Sequence, residues 1–366
     1  MIADFSAATF TATRLMTQSP SRRKRSARFI EIAEAAGVST ATVDRVLNER
    51  GSVSTATRTK VVDAARRLSV PRLLPEVRHG LVHLDILQPR NSTPFHRRLA
   101  LAIQRSVQML DRRVIVHRSA VPEDDETLIL EAILHPPYRR HGLIVTAHDS
   151  PPVREALNSI IEAGEPVVTL ATDIGGIDRV HYAGIDNYRA GRTAGHYIGR
   201  MARGPGRVVV ICNALQYRSH VDRTRGCRDA IDERFPALQC EPLSVETHDD
   251  PDQCYLAVVH ALQQHQDIVG IYNSGAGSVG IDAALRKFGA AGRIVWVGHE
   301  MSDEHRRYIE EGTMDVAIDQ DPDGQAISAL QHLLHACGVV DEAPPGDTNE
   351  FRLYMSENIR RNAYLP

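Results

Sequence analysis

The sequence predicts an α/β protein in two parts, a small helical domain followed by a larger domain built from parallel βαβ units. From Leu81 to about Leu334, short apolar runs alternate with longer amphipathic helical patterns, which is typical of parallel sheets covered by helices. A compact segment from Phe29 to Leu68 has helical apolar spacing instead. The length of 366 residues also exceeds that of one average domain.

The larger part contains nine strand-like apolar runs. This number exceeds the strands of one ordinary sheet and fits two lobes with a sheet each. Most of them are separated by helical patterns such as 99–110, 152–163, 188–201, 223–233, 253–264, 279–288 and 324–336. The runs are 81–87, 114–117, 142–146, 166–170, 180–184, 207–212, 268–272, 294–297 and 314–318.

Composition shifts divide the chain into five segments. A basic tail (1–28) precedes the helical domain (29–68), and a linker (69–80) with two prolines leads to the large domain (81–340) and a C-terminal tail (341–366). The net charge of −3 conceals an asymmetry, because residues 21–72 hold twelve Lys/Arg against five Asp/Glu. A basic module on an acidic body predicts a polyanion partner for that module.

Residues 29–48 have the features of a helix-turn-helix. Ile30, Ala33 and Ala36 are spaced to form one helical face, Gly37 supplies the backbone freedom of a tight turn, and Ser39 is a natural N-cap for a second helix. Val43, Val46 and Leu47 form the buried stripe of that helix, which leaves Thr40, Ala41, Asp44 and Arg45 facing outward. An exposed helix of this kind fits the major groove of DNA.

The pattern I-A-x-x-A-G-V-S-x-x-T-V-x-R-V-L-N from Ile32 to Asn48 resembles the DNA-binding domain of the lactose-repressor (LacI/GalR) family. The resemblance implies a three-helix, lambda-repressor-like domain that binds operator DNA. It makes Thr40, Ala41 and Arg45 base-reading candidates, and Ser39, Thr42, Asn48 and Arg58 phosphate-contacting or positioning candidates.

Two features depart from the family pattern. Asp44 stands where the family usually has serine, and a carboxylate there is repelled by phosphate unless Arg45 or a cytosine amine pairs with it. In the linker, Pro75 interrupts the segment where the family forms a hinge helix. Leu73 or Leu74 would then not act as the usual minor-groove wedge.

The large domain resembles the two-lobed periplasmic-binding-protein fold of ribose and galactose binders, and its most specific piece is the run from Tyr182 to Gly195. The resemblance implies dimerisation and a small sugar-like effector in the cleft between the lobes. Parallel sheets bind ligands at the carboxyl ends of their strands. Residues at such ends, offering one ring for stacking and polar groups for hydroxyls, are Phe95, Asp149, Arg223, Asn273, Glu300 and Gln320.

A competing motif is the G-x-G-x-x-G of Gly275 to Gly280, with Glu300 twenty residues after it. It matches the dinucleotide fingerprint and keeps open an NAD(H)-sensing regulator or a dehydrogenase. Against it, polar Asn273 and Ser274 separate the preceding strand from the first glycine. A second alternative is a binding protein that supplies a permease, which the basic helical domain disfavours.

The remaining composition points to a cytoplasmic protein that is not an enzyme. The five cysteines have no C-x-x-C spacing, no apolar run is long enough for a membrane span, and the first 28 residues lack the apolar core of a secretory signal. The seventeen histidines form no H-E-x-x-H motif, and there is no G-x-S-x-G. We therefore expect no cofactor, metal or catalytic residue, but a dimeric DNA-binding regulator, most simply a repressor.

Overall fold

The computed structural model describes residues 29–48, 53–68, 81–241 and 244–364. Contacts divide the chain into two compact units, residues 1–80 and residues 81–366. The predicted basic tail (1–28) and the linker (69–80), including Pro75, lie outside the described residues.

The first unit is a three-helix domain, consisting of α1 (Phe29–Ala36), α2 (Thr40–Leu47) and α3 (Thr55–Arg67). Gly37 turns the chain between α1 and α2 with a φ of +65°, a conformation that favours glycine. The expectation for α1 needs one correction, because Ile32 is fully buried while Ile30 is 58% exposed. The core of the domain comprises Ile32, Ala33, Val43, Val46, Leu47, Val61, Val62, Ala64 and Ala65.

The second unit has two lobes, each with its own sheet. The first sheet is fully parallel, with strand order β2-β1-β3-β4-β5. Its strands are β1 (Val82–Pro89), β2 (Val114–Val121), β3 (Gly142–Val145), β4 (Val167–Leu170) and β5 (His181–Ala183). Its helices are α4 (Pro94–Gln108), α5 (Glu126–Leu134) and α6 (Pro151–Glu162), and the last helix of the chain, α12 (Pro322–Ala336), packs on the same lobe.

The second sheet has strand order β12-β11-β10-β9-β6-β7, with β8 also paired to β6. It contains β6 (Gly206–Cys212), β7 (Leu238–Cys240), β8 (Val245–Glu246), β9 (Ile268–Asn273), β10 (Val295–His299), β11 (Val316–Asp319) and β12 (Arg352–Tyr354). The helices of this lobe are α7 (Asn187–Met201), α8 (Arg218–Arg234), α9 (Pro251–Gln264), α10 (Ser278–Lys287) and α11 (Asp303–Glu310).

All nine predicted strands are present, and the described residues contain three more, β7, β8 and β12. These are only two or three residues long, too short to produce an apolar run that sequence reading recognises. The prediction of a C-terminal tail also needs a correction. β12 pairs antiparallel with β11, and Tyr364 is buried in the core of the second lobe.

Three segments of the chain connect the lobes. Residues 184–187 lead from β5 to α7, residues 319–322 lead from β11 to α12, and the segment after α12 returns to β12. The first and third are joined where Asn349 N–H donates to Gly184 O at 2.9 Å. Because the parallel strands of each sheet present their carboxyl ends to these crossings, the loops that follow those strands face the space between the lobes.

Candidate functional site

The outer face of α2 presents the side chains that the sequence assigned to base reading. Thr40, Ala41 and Arg45 are exposed, whereas Val43, Val46 and Leu47 are buried. Ser39 caps the helix, since its Oγ accepts the amide N–H of Thr42 at 3.2 Å. The hydroxyls of Ser39 and Thr42 also lie 2.9 Å apart, so both residues define the start of this helix.

Two other residues of this set are engaged within the domain. Asn48 Nδ2 donates to Asp44 Oδ1 at 2.6 Å. The Asp44 carboxylate, which departs from the family pattern, is therefore hydrogen-bonded to the Asn48 amide and not paired with Arg45. Arg58 is only 7% exposed, and its buried Nη1 has no hydrogen-bond partner among the described residues. Arg58 is therefore largely buried, and its assignment as a phosphate-contacting or positioning residue stays a prediction.

A cavity of about 350 Å³ lies between the two lobes of the second unit. This volume is within the range of small-molecule sites. Loops after the strand ends of both lobes form its wall, as the parallel topology requires. From the first lobe come Ser92, Thr93, Phe95, His96, Thr146 and Thr172, and from the second Tyr217, Arg223, Asp249, Ser274, Ser278, His299, Glu300, His305 and Gln320, among others.

Arg223 is the central polar group of the wall. It is 4% exposed, and three protein groups hold it. Nε donates to Asn187 Oδ1 at 2.7 Å, Nη1 to Ser274 O at 2.8 Å and Nη2 to Gln320 Oε1 at 2.5 Å. Because an arginine has five N–H donors, two remain for a ligand.

Four of the six predicted effector residues line the cavity, namely Phe95, Arg223, Glu300 and Gln320. Glu300 follows β10 with a φ of +70°, a conformation unusual for a residue with a side chain. It forms a buried ion-pair cluster with Arg98 of α4 and Asp319 of β11. Burial, and then the Asp319 carboxylate, raise the pKa of Glu300 well above its ordinary value.

The other two predicted residues, Asn273 and Asp149, act beside the cavity. The amide of Asn273 donates to Ala276 O at 2.9 Å and accepts the N–H of Gly275 at 3.2 Å, so it shapes the loop before α10. Asp149 pairs with Arg154 at 2.6 Å and accepts the N–H of Gly175 at 3.4 Å. Neither lies in the cavity wall as the structure defines it.

Sequence reading missed four histidines of the wall, which it took to be solvated or core residues. Burial lowers the pKa of His96 to about 4 and the pKa of His305 below its ordinary value. Burial, and then the Arg223 charge, lower the pKa values of His220 and His299 further. Their positions in the sequence could have indicated them, because His299 directly precedes Glu300 and His220 lies three residues before Arg223.

Hydrogen-bond partners determine the tautomer of His305, whereas His299 pairs with a hydroxyl. His305 Nδ1 lies 2.5 Å from Glu300 O, a carbonyl that can only accept, so Nδ1 carries the hydrogen and Nε2 accepts from Ser278 Oγ at 2.6 Å. His299 Nε2 lies 2.7 Å from the hydroxyl of the fully buried Tyr272. Either group of this pair can donate the hydrogen, because a hydroxyl both donates and accepts.

The glycine loop from Gly275 to Gly280 packs against the chain itself. A Cβ at Gly280 would lie 1.8 Å from Pro251 O, and one at Gly277 would lie 2.5 Å from Cys254 Sγ. Asp249 Oδ1 accepts the N–H of Ala276 at 2.7 Å. Close packing against residues 249–254 therefore explains why Gly277 and Gly280 have no side chain.

In the part of the chain that the structure describes, no group of three or more His, Cys, Asp or Glu side chains is placed to hold a metal ion. None of the helices in this part combines the length and the apolar character that crossing a bilayer requires.

Comparison with known proteins agrees with this architecture. A family model described as periplasmic binding protein domain matches residues 139–338. A second, described as bacterial regulatory proteins, lacI family, matches residues 29–69. None of the curated proteins has significant sequence similarity to the chain.

Solved structures with the same fold include sugar-binding proteins. A glucose-galactose binding protein from Geobacillus stearothermophilus is 20% identical, with a TM-score of 0.68, over 77% of this chain and 99% of that chain. A solute binding protein from Bacillus halodurans with bound myo-inositol is 17% identical, with a TM-score of 0.68, over 76% and 96%. One from Burkholderia graminis, in complex with D-arabinose, is 18% identical, with a TM-score of 0.68, over 78% and 98%.

Each matched region falls within one unit of the structure, residues 29–69 within the first and residues 139–338 within the second, two-lobed unit. The chain therefore belongs to the periplasmic binding protein domain family, which it combines with a DNA-binding domain of the lacI family of bacterial regulatory proteins.

Proposed function

We propose that this protein is a cytoplasmic, sequence-specific transcription repressor rather than an enzyme. Two copies bind a pseudo-palindromic operator, and a small sugar-like effector in the interlobe cavity controls their affinity for it. The observation that carries the proposal is the combination of two surfaces in one chain. An exposed α2 face ends in Arg45, and a separate cavity is lined by Arg223, Phe95 and many hydroxyl groups.

The proposed DNA contact follows from the geometry of α2. Its N-terminal residues are small and exposed, so the helix can approach base edges closely, and Arg45 is long enough to reach a guanine edge. Two-fold symmetry of the protein would be mirrored in the operator as half-sites about one helical turn apart or a multiple of it. Sedimentation of the free protein and of its operator complex measures the expected dimer.

The proposed effector class follows from the wall chemistry and from the neighbours. Phe95 offers a flat apolar surface for a ring face, while Arg223 and Gln320 offer paired polar groups for adjacent hydroxyls. The structures with the same fold include proteins described as binding glucose and galactose, myo-inositol or D-arabinose. A cavity shared by both lobes lets ligand binding favour one arrangement of the lobes, and this differential affinity would alter operator binding.

The operator half of the proposal is tested with Arg45→Ala. An operator is first selected from a random duplex library with the wild-type protein, and affinities for it and for random DNA are then measured. We expect a loss of tenfold or more for the operator, since a bidentate base contact contributes about 1–3 kcal/mol of discrimination, with little change for random DNA. Lys60→Ala removes the same charge from the exposed side of α3 and should weaken both affinities equally. Equal, nonspecific losses in the two variants would show that Arg45 reads no base.

The effector half is tested by thermal unfolding of the purified protein with pentoses, hexoses, polyols, sugar acids and NAD(H). We expect one sugar or polyol class to raise the unfolding temperature, and Arg223→Lys to abolish this shift, because an ammonium cannot reproduce the three-way guanidinium contact. Operator binding without effector should persist in that variant. Stabilisation by NAD(H) alone would overturn the sugar-effector proposal.

A further inference from the structure

Asp44 lies at the centre of the outer face of α2. It is partly exposed there, four residues after Thr40 and one before Arg45, and both of these neighbours are exposed. Residues three or four positions apart are neighbours on a helix surface, so Asp44 adjoins both Thr40 and Ala41. A base edge that approaches the base-reading candidates of this helix therefore also meets the carboxylate of Asp44.

A neutral amide is the protein group that holds this carboxylate. Asn48 Nδ2 donates to Asp44 Oδ1 at 2.6 Å. Among the described residues, Asp44 forms no ion pair, and its second oxygen, Oδ2, accepts no hydrogen bond. The Asn48 amide thus fixes the direction of the side chain without compensating its negative charge, and one acceptor oxygen remains for an external donor.

The four bases of DNA differ in the donors that they offer to such an oxygen. The phosphates of both strands flank a helix in the major groove, and they repel a carboxylate. Donors on the base edges in this groove are the N4 amino group of cytosine and the N6 amino group of adenine. The N7 acceptor lies beside the adenine amino group, and guanine and thymine present acceptor atoms instead. Cytosine is therefore the base whose major-groove edge offers a donor without an acceptor beside it.

We propose that Asp44 is a specificity-determining residue that accepts the N4 amino hydrogen of one cytosine in each operator half-site. This inference rests on the proposed function and names a base of its DNA partner. Oδ2 receives the hydrogen, while Asn48 holds Oδ1. The other three bases place an acceptor near the carboxylate, so Asp44 selects cytosine by repulsion as well as by attraction.

The first test removes the proposed donor from the DNA. In the operator selected with the wild-type protein, each cytosine is replaced in turn, in both half-sites, by 2-pyrimidinone, which is cytosine without the N4 amino group. At one position we expect the wild type to lose about tenfold or more in affinity, the scale of a hydrogen bond to a charged group. Asp44→Ala should lose much less there.

Comparison of the two proteins on the same DNA is the control for the analogue itself. The replacement also weakens the base pair, but this effect is common to both proteins and cancels in the comparison. Equal losses in the wild type and in Asp44→Ala at every cytosine would overturn the inference.

The second test measures base preference by selecting operators with Asp44→Ala and with a control variant. Alanine is a strong helix former, so Asp44→Ala should keep the wild-type unfolding temperature. Asp63→Ala removes the same charge from the exposed side of α3 and should retain the wild-type preference. We expect Asp44→Ala to accept all four bases at one position where the wild type requires cytosine.

The other outcomes separate this inference from the proposed function. An unchanged preference in Asp44→Ala, with tighter binding to operator and random DNA alike, would show that the carboxylate only repels DNA and would overturn the inference. A wild-type preference for adenine at the position that Asp44→Ala relaxes would also overturn it, and operator binding would still stand. If the wild type selects no operator at all, operator binding and the inference fail together.

Discussion

At the scale of single residues, backbone strain is concentrated around the cavity. Five described non-glycine residues have a positive φ. Three of them line the cavity, Ala171 with a φ of +65°, Asp249 with +59° and Glu300 with +70°. Such conformations cost of order 1–3 kcal/mol each, so surrounding contacts must stabilise them. At Glu300 the contacts are the Arg98 ion pair and an N–H donated to Ile318 O at 2.8 Å.

The Arg98 cluster leads to a stability prediction. Arg98→Ala would leave the Glu300 and Asp319 carboxyls, whose side chains are 6% and 2% exposed, without their cation. We expect a loss of about 3–5 kcal/mol in the free energy of unfolding, as for other broken buried pairs. The loss should be larger at pH 8 than at pH 5, because burial raises the pKa of Glu300 well above its ordinary value and acid neutralises this carboxyl.

Arg105→Ala is the control for Arg98→Ala on the same helix. Its pair with Asp323 is 60% and 51% exposed, so we expect a change below about 1 kcal/mol. Chemical denaturation of both variants gives the comparison. Similar small losses would show that Arg98 does not hold the carboxyl cluster.

At the scale of elements, the contact between α7 and α8 positions Arg223. The two helices approach so closely that a Cβ at Gly191 would lie 2.0 Å from Arg223 O, and one at Gly226 would lie 2.1 Å from Tyr188 O. Asn187, the first residue of α7, then accepts from Arg223 Nε at 2.7 Å. Glycine in both helices therefore places the guanidinium at the cavity wall.

Gly191→Ala tests this contact. We expect a loss of about 1–3 kcal/mol or more in stability from overpacking, together with weaker effector binding, because α8 must move away. Gly204→Ala is the control, since a Cβ there meets no atom within 4 Å. Denaturant unfolding and effector calorimetry measure the two effects. An unchanged effector affinity in Gly191→Ala would show that the helix spacing does not position Arg223.

At the scale of the whole molecule, the last part of the chain connects the two lobes. α12 packs on the first lobe against α4 and β4, and the chain then returns to add β12 to the second sheet. On the first lobe, His332 of α12 stacks on His181 of β5, with ring centroids 3.5 Å apart and an interplanar angle of 8°. His181 also lies 3.1 Å from Ser328 Oγ, so a pair of uncharged rings joins the last helix to the first sheet.

This stack predicts a pH dependence of stability. Burial, and then the neighbouring His332 and Arg179, lower the pKa of His181 from 6.5 to about 4. The folded protein therefore favours the neutral ring. The stabilising contribution is fully present above pH 6.5, is lost progressively as pH falls towards 4, and amounts to at most about 3 kcal/mol.

Comparison of His181→Gln with wild type isolates that contribution. The cavity histidines shift in the same direction, while burial raises the pKa of Asp249 to about 6 and acts oppositely, so the difference between the two proteins is the informative quantity. We expect the wild type to lose stability relative to His181→Gln between pH 6.5 and 4. Parallel unfolding curves across that range would contradict the prediction.

The sequence by itself determined the class and the order of the elements. Periodicity is a local property. The alternation of strands and helices and the Gly37–Ser39 turn can therefore be predicted from the sequence alone. The carboxyl ends of parallel strands are equally legible, and this placed Phe95, Arg223, Glu300 and Gln320 at the cavity.

Only the tertiary structure decided which polar groups meet there. The pairing of Arg98 with Glu300 joins residues 202 apart in sequence, and no local pattern encodes such a contact. The hydrogen bond between His299 and Tyr272 and the packing of residues 249–254 against the glycine loop also join distant parts of the chain. The strand β12 likewise forms only because β11 is there to pair with it. Burial and partner identity are properties of the packed chain, so the surroundings of His220, His299, Asn273 and Arg58 could not be predicted from the sequence alone.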